Sequence, residues 1–284
     1  MVINIIHHNE DLLEWTWAAE DELIPRPFFT SIYLIDDILI DTGAPGGQDE
    51  FRDFVNSILK SQKINQCLIT HTHEDHIGST HVIKDEFHIP TYASPKAVSL
   101  LKQASTYPYA EYRQLFWGTG LQSVNTDPFP KNIHSDSQNY SFIVLPTPGH
   151  APDQVILIEC SQEWAFVADA VLPKYKNLFG GTCNIQEDIA LIYQSIEEIY
   201  KFTEGMDELR IFISGKGVFQ GREFLHERLT DIWNLRTQVH ELNEKGISEE
   251  QILEKIFGGE SMTGIMTNGE LSRLNMIKSL LKWN

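Results

Sequence analysis

Three histidines and two carboxylates fall within six consecutive residues, His71-Thr72-His73-Glu74-Asp75-His76. The apolar run Cys67-Leu68-Ile69 precedes them and reads as a buried strand. The polar cluster therefore sits where a strand ends and a helix beginning near Asp75 takes over. In α/β proteins, sites collect at the carboxyl ends of strands. His71 and His73 lie two apart, so in an extended turn their side chains project to one side and can pinch a cation. Asp75 and His76, beyond the turn, can face a second cation. Imidazole with carboxylate suits zinc, iron or manganese. A bare His-x-His arises by accident far more often than His-x-His-x-Asp-His on a strand end.

Two further strand ends carry matching chemistry. The strand Tyr140 to Leu145 runs into Pro146-Thr147-Pro148-Gly149-His150, whose prolines and glycine form a rigid turn presenting His150. The strand Trp164 to Ala168 ends at Asp169. Earlier, Leu39-Ile40-Asp41-Thr42-Gly43 closes a hairpin that turns at Asp36-Asp37. Taken together, these motifs resemble the signature of the metallo-β-lactamase superfamily. The likeness runs from about Ile32 to Gly217 and only loosely beyond.

That resemblance implies an α/β four-layer αββα sandwich holding one or two metal ions, zinc first, with iron or manganese as options. It implies His71, His73 and His150 around one metal and Asp75, His76 and Asp169 at a second, with Asp169 bridging. Asp41 would support the site from behind. A metal-activated water would attack an ester, thioester or related bond of a small molecule, with Asp75 orienting it and passing a proton to the leaving group. The sequence departs from the pattern at Ser214-Gly215-Lys216-Gly217, where the family carries a histidine. Lys216 is expected to point into the second site and to stand in as electrostatic partner of the developing oxyanion, since a protonated lysine has only donors. Two alternatives stay open: a mononuclear iron oxygenase of the sulfur dioxygenase type, and a non-catalytic metal- or ligand-binding protein.

The elements that must position these residues follow from periodicity. The chain has 284 residues with 42% hydrophobic and 11% aromatic content, enough for a large core. Helices are expected over Gln48 to Gln62, from near Asp75 to about Phe87, from Pro95, and over Glu187 to Phe202. Residues 1–222 are expected to form the metallo-β-lactamase-like domain. Residues 223–284 read as a helical extension packed on it, with helices over Glu223 to Glu244, Ser248 to Phe257 and Gly269 to Trp283. Ser105 to Lys131 is aromatic-rich and irregular, and the Tyr107 to Trp117 part is expected to border the active-site mouth.

A net charge of −18 argues against nucleic-acid or anionic-membrane partners, which need a basic face. No apolar stretch is long enough to span a bilayer, and Met1-Val-Ile-Asn-Ile-Ile reads as a strand rather than a signal peptide. Cys67 and Cys160 fall in apolar runs and are expected as buried thiols; with Cys183 the count is odd, which suits a reducing cytoplasm. Oligomeric state is not legible in the chain.

Overall fold

The computed structural model describes residues 1–20, 27–181 and 184–283, so Cys183 lies outside the described residues. The chain divides into two compact units. The first comprises Met1–Pro146, Asp153–Ala168 and Arg210–Val218; the second comprises Thr147–Pro152, Asp169–Leu209 and Phe219–Asn284.

The first unit is built on two sheets. One contains, in spatial order, β1 (Val2–His7), β2 (Leu12–Ala18), β3 (Thr30–Ile35), β4 (Ile38–Ile40), β5 (Gln66–Leu68), β6 (Thr91–Ala93) and β7 (Asp127–Pro128). Its first four strands pair antiparallel and the rest parallel. The β3–β4 hairpin turns at Asp36-Asp37 as expected, with Asp36 in the left-handed region (φ 52°) that Asp tolerates. The other sheet is built from β8 (Ile133–His134), β9 (Ser141–Pro146), β10 (Val155–Glu159), β11 (Trp164–Ala168), β12 (Arg210–Ile213) and β13 (Gly217–Gln220). Its spatial order is β13-β12-β11-β10-β9-β8.

Strand alternation sorts side chains to the two faces of each sheet. Leu12, Tyr33, Ile35, Ile38, Ile40 and Leu68 from one sheet meet Phe142, Leu157, Trp164, Phe166 and Phe212 from the other in one core. The opposite face of the first sheet (Trp15, Trp17, Ile32, Leu34, Leu39) packs on α1 (Gln48–Ile58) through Phe51, Phe54 and Val55, and on Ala97 and Leu101 of α3 (Pro95–Leu101). Helix, sheet and sheet are thus layered within this unit alone. β2 escaped the periodicity reading because both of its faces are buried, including Glu14, so apolar and polar residues do not alternate with solvent.

Two expectations are corrected. The helix expected from Asp75 to Phe87 is not regular: α2 (Glu74–Ile77) ends in a turn at Gly78 and Ser79, and π-helical turns follow at Val82–Glu86. Only glycine fits at residue 78, because a Cβ there would lie 2.1 Å from the Pro45 backbone nitrogen. Cys160 is exposed, since β10 ends at Glu159 and Cys160 opens the turn to β11, whereas Cys67 is buried as expected.

In the second unit, α5 (Ile189–Phe202), α6 (Arg222–Glu244) and α9 (Arg273–Lys282) pack on one another; α7 (Glu249–Phe257) packs on α9, and the short α8 (Met262–Met266) lies between them in sequence. Tyr193 of α5, Trp233 of α6 and Trp283 form an aromatic knot, with the Arg236 guanidinium 5.1 Å from both indoles. α6 and α7 begin and end within a residue of the expected limits, whereas α9 starts at Arg273, four residues after the expected Gly269, because Leu271 and Ser272 pair as a strand with Phe179 and Leu178. α7 carries the full Ser248/Gln251 capping box behind its Ser-Glu-Glu start.

Candidate metal centre

The donors of the first unit stand on the chain just past β5. Thr70 is pinned there: its nitrogen and hydroxyl donate to Asp41 Oδ1 and Oδ2, each at 2.8 Å, and its carbonyl accepts from Val155 N at 2.9 Å. Asp41 reaches this position through a left-handed backbone (φ 61°) just after β4. Its Oδ2 also accepts from His76 Nδ1 at 2.7 Å. An ionised carboxylate only accepts, so the His76 proton lies on Nδ1 and the lone pair on Nε2. Thr42 adds two bonds to the His76 carbonyl, from its nitrogen at 2.8 Å and its hydroxyl at 3.0 Å.

These contacts crowd three imidazoles together. Ring centroids are 4.7 Å apart for His71 and His73 and 4.1 Å apart for His71 and His76. His71, His73, Asp75 and His76 are all buried. The Asp75 Oδ2 lies 3.7 Å from His76 Nε2, and the Asp75 carbonyl accepts from Thr30 Oγ1 at 2.6 Å. Asp153, also buried, hydrogen-bonds Thr72 between the two histidines, and burial pushes its carboxyl above the usual range.

The sequence reading passed over Glu74, which makes a buried ion pair with Arg113 of α4 (Glu111–Trp117). Arg113 Nη2 donates to Glu74 Oε2 at 2.7 Å, and Nε donates to Oε1. Tyr109 donates to the Thr72 carbonyl at 3.2 Å and lies beneath the Arg113 guanidinium at 5.6 Å. Burial, reinforced by the Glu74 charge, raises the Tyr109 phenol well above its ordinary range. The aromatic segment is therefore tied to the histidine-rich turn. One signal for this stood in the chain: Arg113 is the only Lys or Arg between Lys102 and Lys131.

The second unit holds the other predicted donors, His150 and Asp169. Gly149, at φ 137°, lets the turn lie on α5; a Cβ there would be 2.5 Å from Ile192 N. Asp188 N donates to the Gly149 carbonyl at 2.9 Å, and Ser195 Oγ donates to the Pro148 carbonyl at 2.7 Å. His150 Nδ1 donates to Glu187 Oε1 at 2.6 Å, which leaves the Nε2 lone pair as the ligand-competent one. Glu187 Oε2 is itself held by Phe179 N at 2.7 Å. Glu187 was also missed; nothing in the local spacing marks a carboxylate at a helix start as the partner of a distant histidine. His150 Nε2 and Asp169 Oδ2 stand 3.4 Å apart. Two ligands of one tetrahedral cation, each at about 2.0–2.1 Å, are separated by about that distance.

Lys216 is exposed, with its ammonium 6.0 Å from the centroid of Phe28. The histidines read as non-ligands are elsewhere: His88, His134 and His226 are exposed, His81 is buried away from any donor group, and His240 bonds to Leu280 O at 3.0 Å.

Buried imidazoles whose Nδ1 atoms are occupied by carboxylates, with carboxylate donors at ligand–ligand spacing, fit a divalent transition metal. The comparisons agree. Residues 25–191, more than half of the chain, match the model of the metallo-β-lactamase superfamily, and the chain belongs to that superfamily. A Streptococcus pyogenes protein named as a probable metallo-hydrolase is 32% identical over 149 residues; the match takes in 49% of this chain and 60% of that relative's length. Among solved structures, a β-lactamase domain protein from Burkholderia ambifaria superposes with a TM-score of 0.69 at 13% identity, covering 99% of this chain and 88% of that one. A metallo-β-lactamase from Pontibacter korlensis gives 0.62 at 17% identity, covering 82% and 100%. At such identities the likeness is one of fold, and the fold is of the metallo-β-lactamase type.

Proposed function

We propose that the two half-sites serve one metal centre and that the protein is a metal-dependent hydrolase of a small ester, thioester or related bond. In this reading one cation would take His71, His73 and His150, and the other would take His71, His76 and Asp169 with Asp75 alongside. The observation that carries the reading is the pair of carboxylate-held histidines, His76 on Asp41 and His150 on Glu187. Such partners orient ligands and raise their basicity. The family match and the relative's name support the hydrolase class.

When bound, a divalent cation would acidify water and polarise the electrophile, zinc being the first choice. Asp75 would take the proton from the attacking water and return it to the leaving group. Lys216 would leave the Phe28 ring to face the developing oxyanion. Tyr109 and α4, fastened to Thr72 and Glu74, would exclude water and accept an apolar acyl part. Phe28 extends that aromatic surface, with its ring 4.8 Å from Phe116. The acidic chain supports a small-molecule substrate over a nucleic acid. No helix among the described residues is long and apolar enough to cross a membrane, and the exposed Cys160, a free thiol among the described residues, supports a cytoplasmic location. Residues 223–284 are read as an extension of the catalytic part, in keeping with a family match that ends at residue 191.

The test is elemental analysis of protein purified without added metal, followed by turnover of ester and thioester panels. One or two transition-metal ions per chain, with hydrolysis abolished by a chelator and restored by zinc, is the expected result. Protein that hydrolyses equally well after complete metal removal would sink the proposal. Oxygen uptake on a persulfide without hydrolysis would replace it with the oxygenase.

A further inference from the structure

A cavity of about 460 Å³ opens in the second unit between the loop after Asp169 and helices α6 and α7. Its volume lies within the range of small-molecule sites. Its wall combines three cations, Lys174, Lys176 and Arg228, with the apolar side chains of Leu235 and Phe257. Asp231 is the acidic group on the same wall. Arg228 is paired with Asp231 and with Glu227, so the uncompensated positive charge of the wall lies on Lys174 and Lys176, in a chain whose net charge is −18.

The cations are not equivalent. Lys174 and Lys176 are exposed, separated by Tyr175, and alternate about it along the loop. Arg228 is largely buried and built in. It donates to the Pro173 carbonyl at 2.7 Å and to Asp231 at 2.9 Å, and its guanidinium lies 5.0 Å from the Phe224 ring. Its Nε is buried with no hydrogen-bond partner among the described residues. Tyr175 anchors the loop from inside: its hydroxyl accepts from Leu172 N at 2.9 Å and donates to the Ala170 carbonyl at 3.3 Å. The cationic loop is thereby fixed to the residue directly after Asp169.

We propose that this cavity is a second binding site, for an organic anion with a flat or branched apolar body and a sulfonate-, phosphate- or carboxylate-type head. The head would sit between Lys174, Lys176 and Arg228, and the body would lie against Leu235 and Phe257. Charge-assisted contacts to Lys and Arg supply orientation, and burial of the apolar body supplies most of the affinity. Recognition here is independent of the hydrolase reading, because it needs neither a metal nor turnover.

The experiment is titration calorimetry of the full-length protein with naphthalene-1-sulfonate, and with neutral 1-naphthol as the charge control. One-to-one binding of the sulfonate is expected, with 1-naphthol at least about tenfold weaker, a difference of about 1.4 kcal/mol. The double variant Lys174→Glu/Lys176→Glu should weaken sulfonate binding by at least tenfold. Lys60→Glu/Lys131→Glu, which changes net charge equally on exposed residues of the first unit, should leave it unchanged. Absence of sulfonate binding to the wild type overturns the proposal. So does equal weakening by both double variants, or equal affinity for 1-naphthol. Circular dichroism of the variants separates loss of the site from loss of the fold.

Discussion

The candidate donors of the two units are held differently. In the first unit, four donors come from six consecutive residues, and one carboxylate, Asp41, holds both the strand end at Thr70 and the imidazole of His76. In the second unit, His150 and Asp169 come from different strand ends, and Glu187 holds His150 from the start of α5. The Asp169 side chain keeps 19% of its surface in solvent, against 0% for His76. A compact sequence motif thus makes a buried, densely braced half, whereas donors far apart in the chain make a half that depends on the seating of one helix. In both, the residue that holds the ligand is remote in sequence, 35 positions from His76 and 37 from His150.

The comparison can be broken first at His71, which the proposed centre assigns to both of its cations. His71→Ala is expected to abolish metal binding, His150→Ala to remove most of it, and His76→Ala to leave one ion, read by elemental analysis. Equal loss in all three would remove the distinction between the sets. The next largest effect concerns the brace that only the first half possesses. Arg113→Met leaves Glu74 charged and buried, which costs about 3–5 kcal/mol in denaturant unfolding. Adding Glu74→Gln should recover much of that loss, and a double variant no more stable than the single would show that the pair is not coupled.

Asp41→Asn and Glu187→Gln sharpen the comparison directly. Asn tolerates the left-handed backbone at residue 41, so the change tests the charge and the acceptor. Each should lower metal affinity by about 10–100-fold. Asp41→Asn should also lower stability more, because Thr70 N and Oγ1 share its carboxylate. Competition with a metallochromic chelator measures the first and thermal unfolding the second; a larger stability loss in Glu187→Gln would reverse the ranking of the two halves.

The smallest effect is one of pH. Burial pushes the His81 imidazole below its usual 6.5, outweighing the opposing charges of Glu86 and Asp85. The unfolded chain then binds a proton that the folded chain refuses. This contribution is present above about pH 6.5 and is lost as pH falls through the depressed folded value. His81→Gln is expected to flatten the decline in stability between neutral and mildly acid pH. An unchanged slope would place its cause elsewhere.

What the sequence determined by itself is the chemistry that local order can express. His71, His73, Asp75 and His76 could be put forward as candidates because strand and turn geometry act over a few residues, and His150 and Asp169 because each follows an apolar strand. The β3–β4 hairpin, α1, α5 and the tail helices were legible for the same reason, since periods of 2 and 3.6 are written in neighbouring side chains. Tertiary structure alone decided what braces those donors. Asp41 meets His76, Glu187 meets His150 and Arg113 meets Glu74 only once strands and helices pack, and no periodicity encodes a contact between residues some 35 to 39 positions apart. It also decided that β2 is buried on both faces and that the backbone of Gly78 lies against Pro45. Close packing of backbones is a property of the assembled layers, which a single segment does not contain.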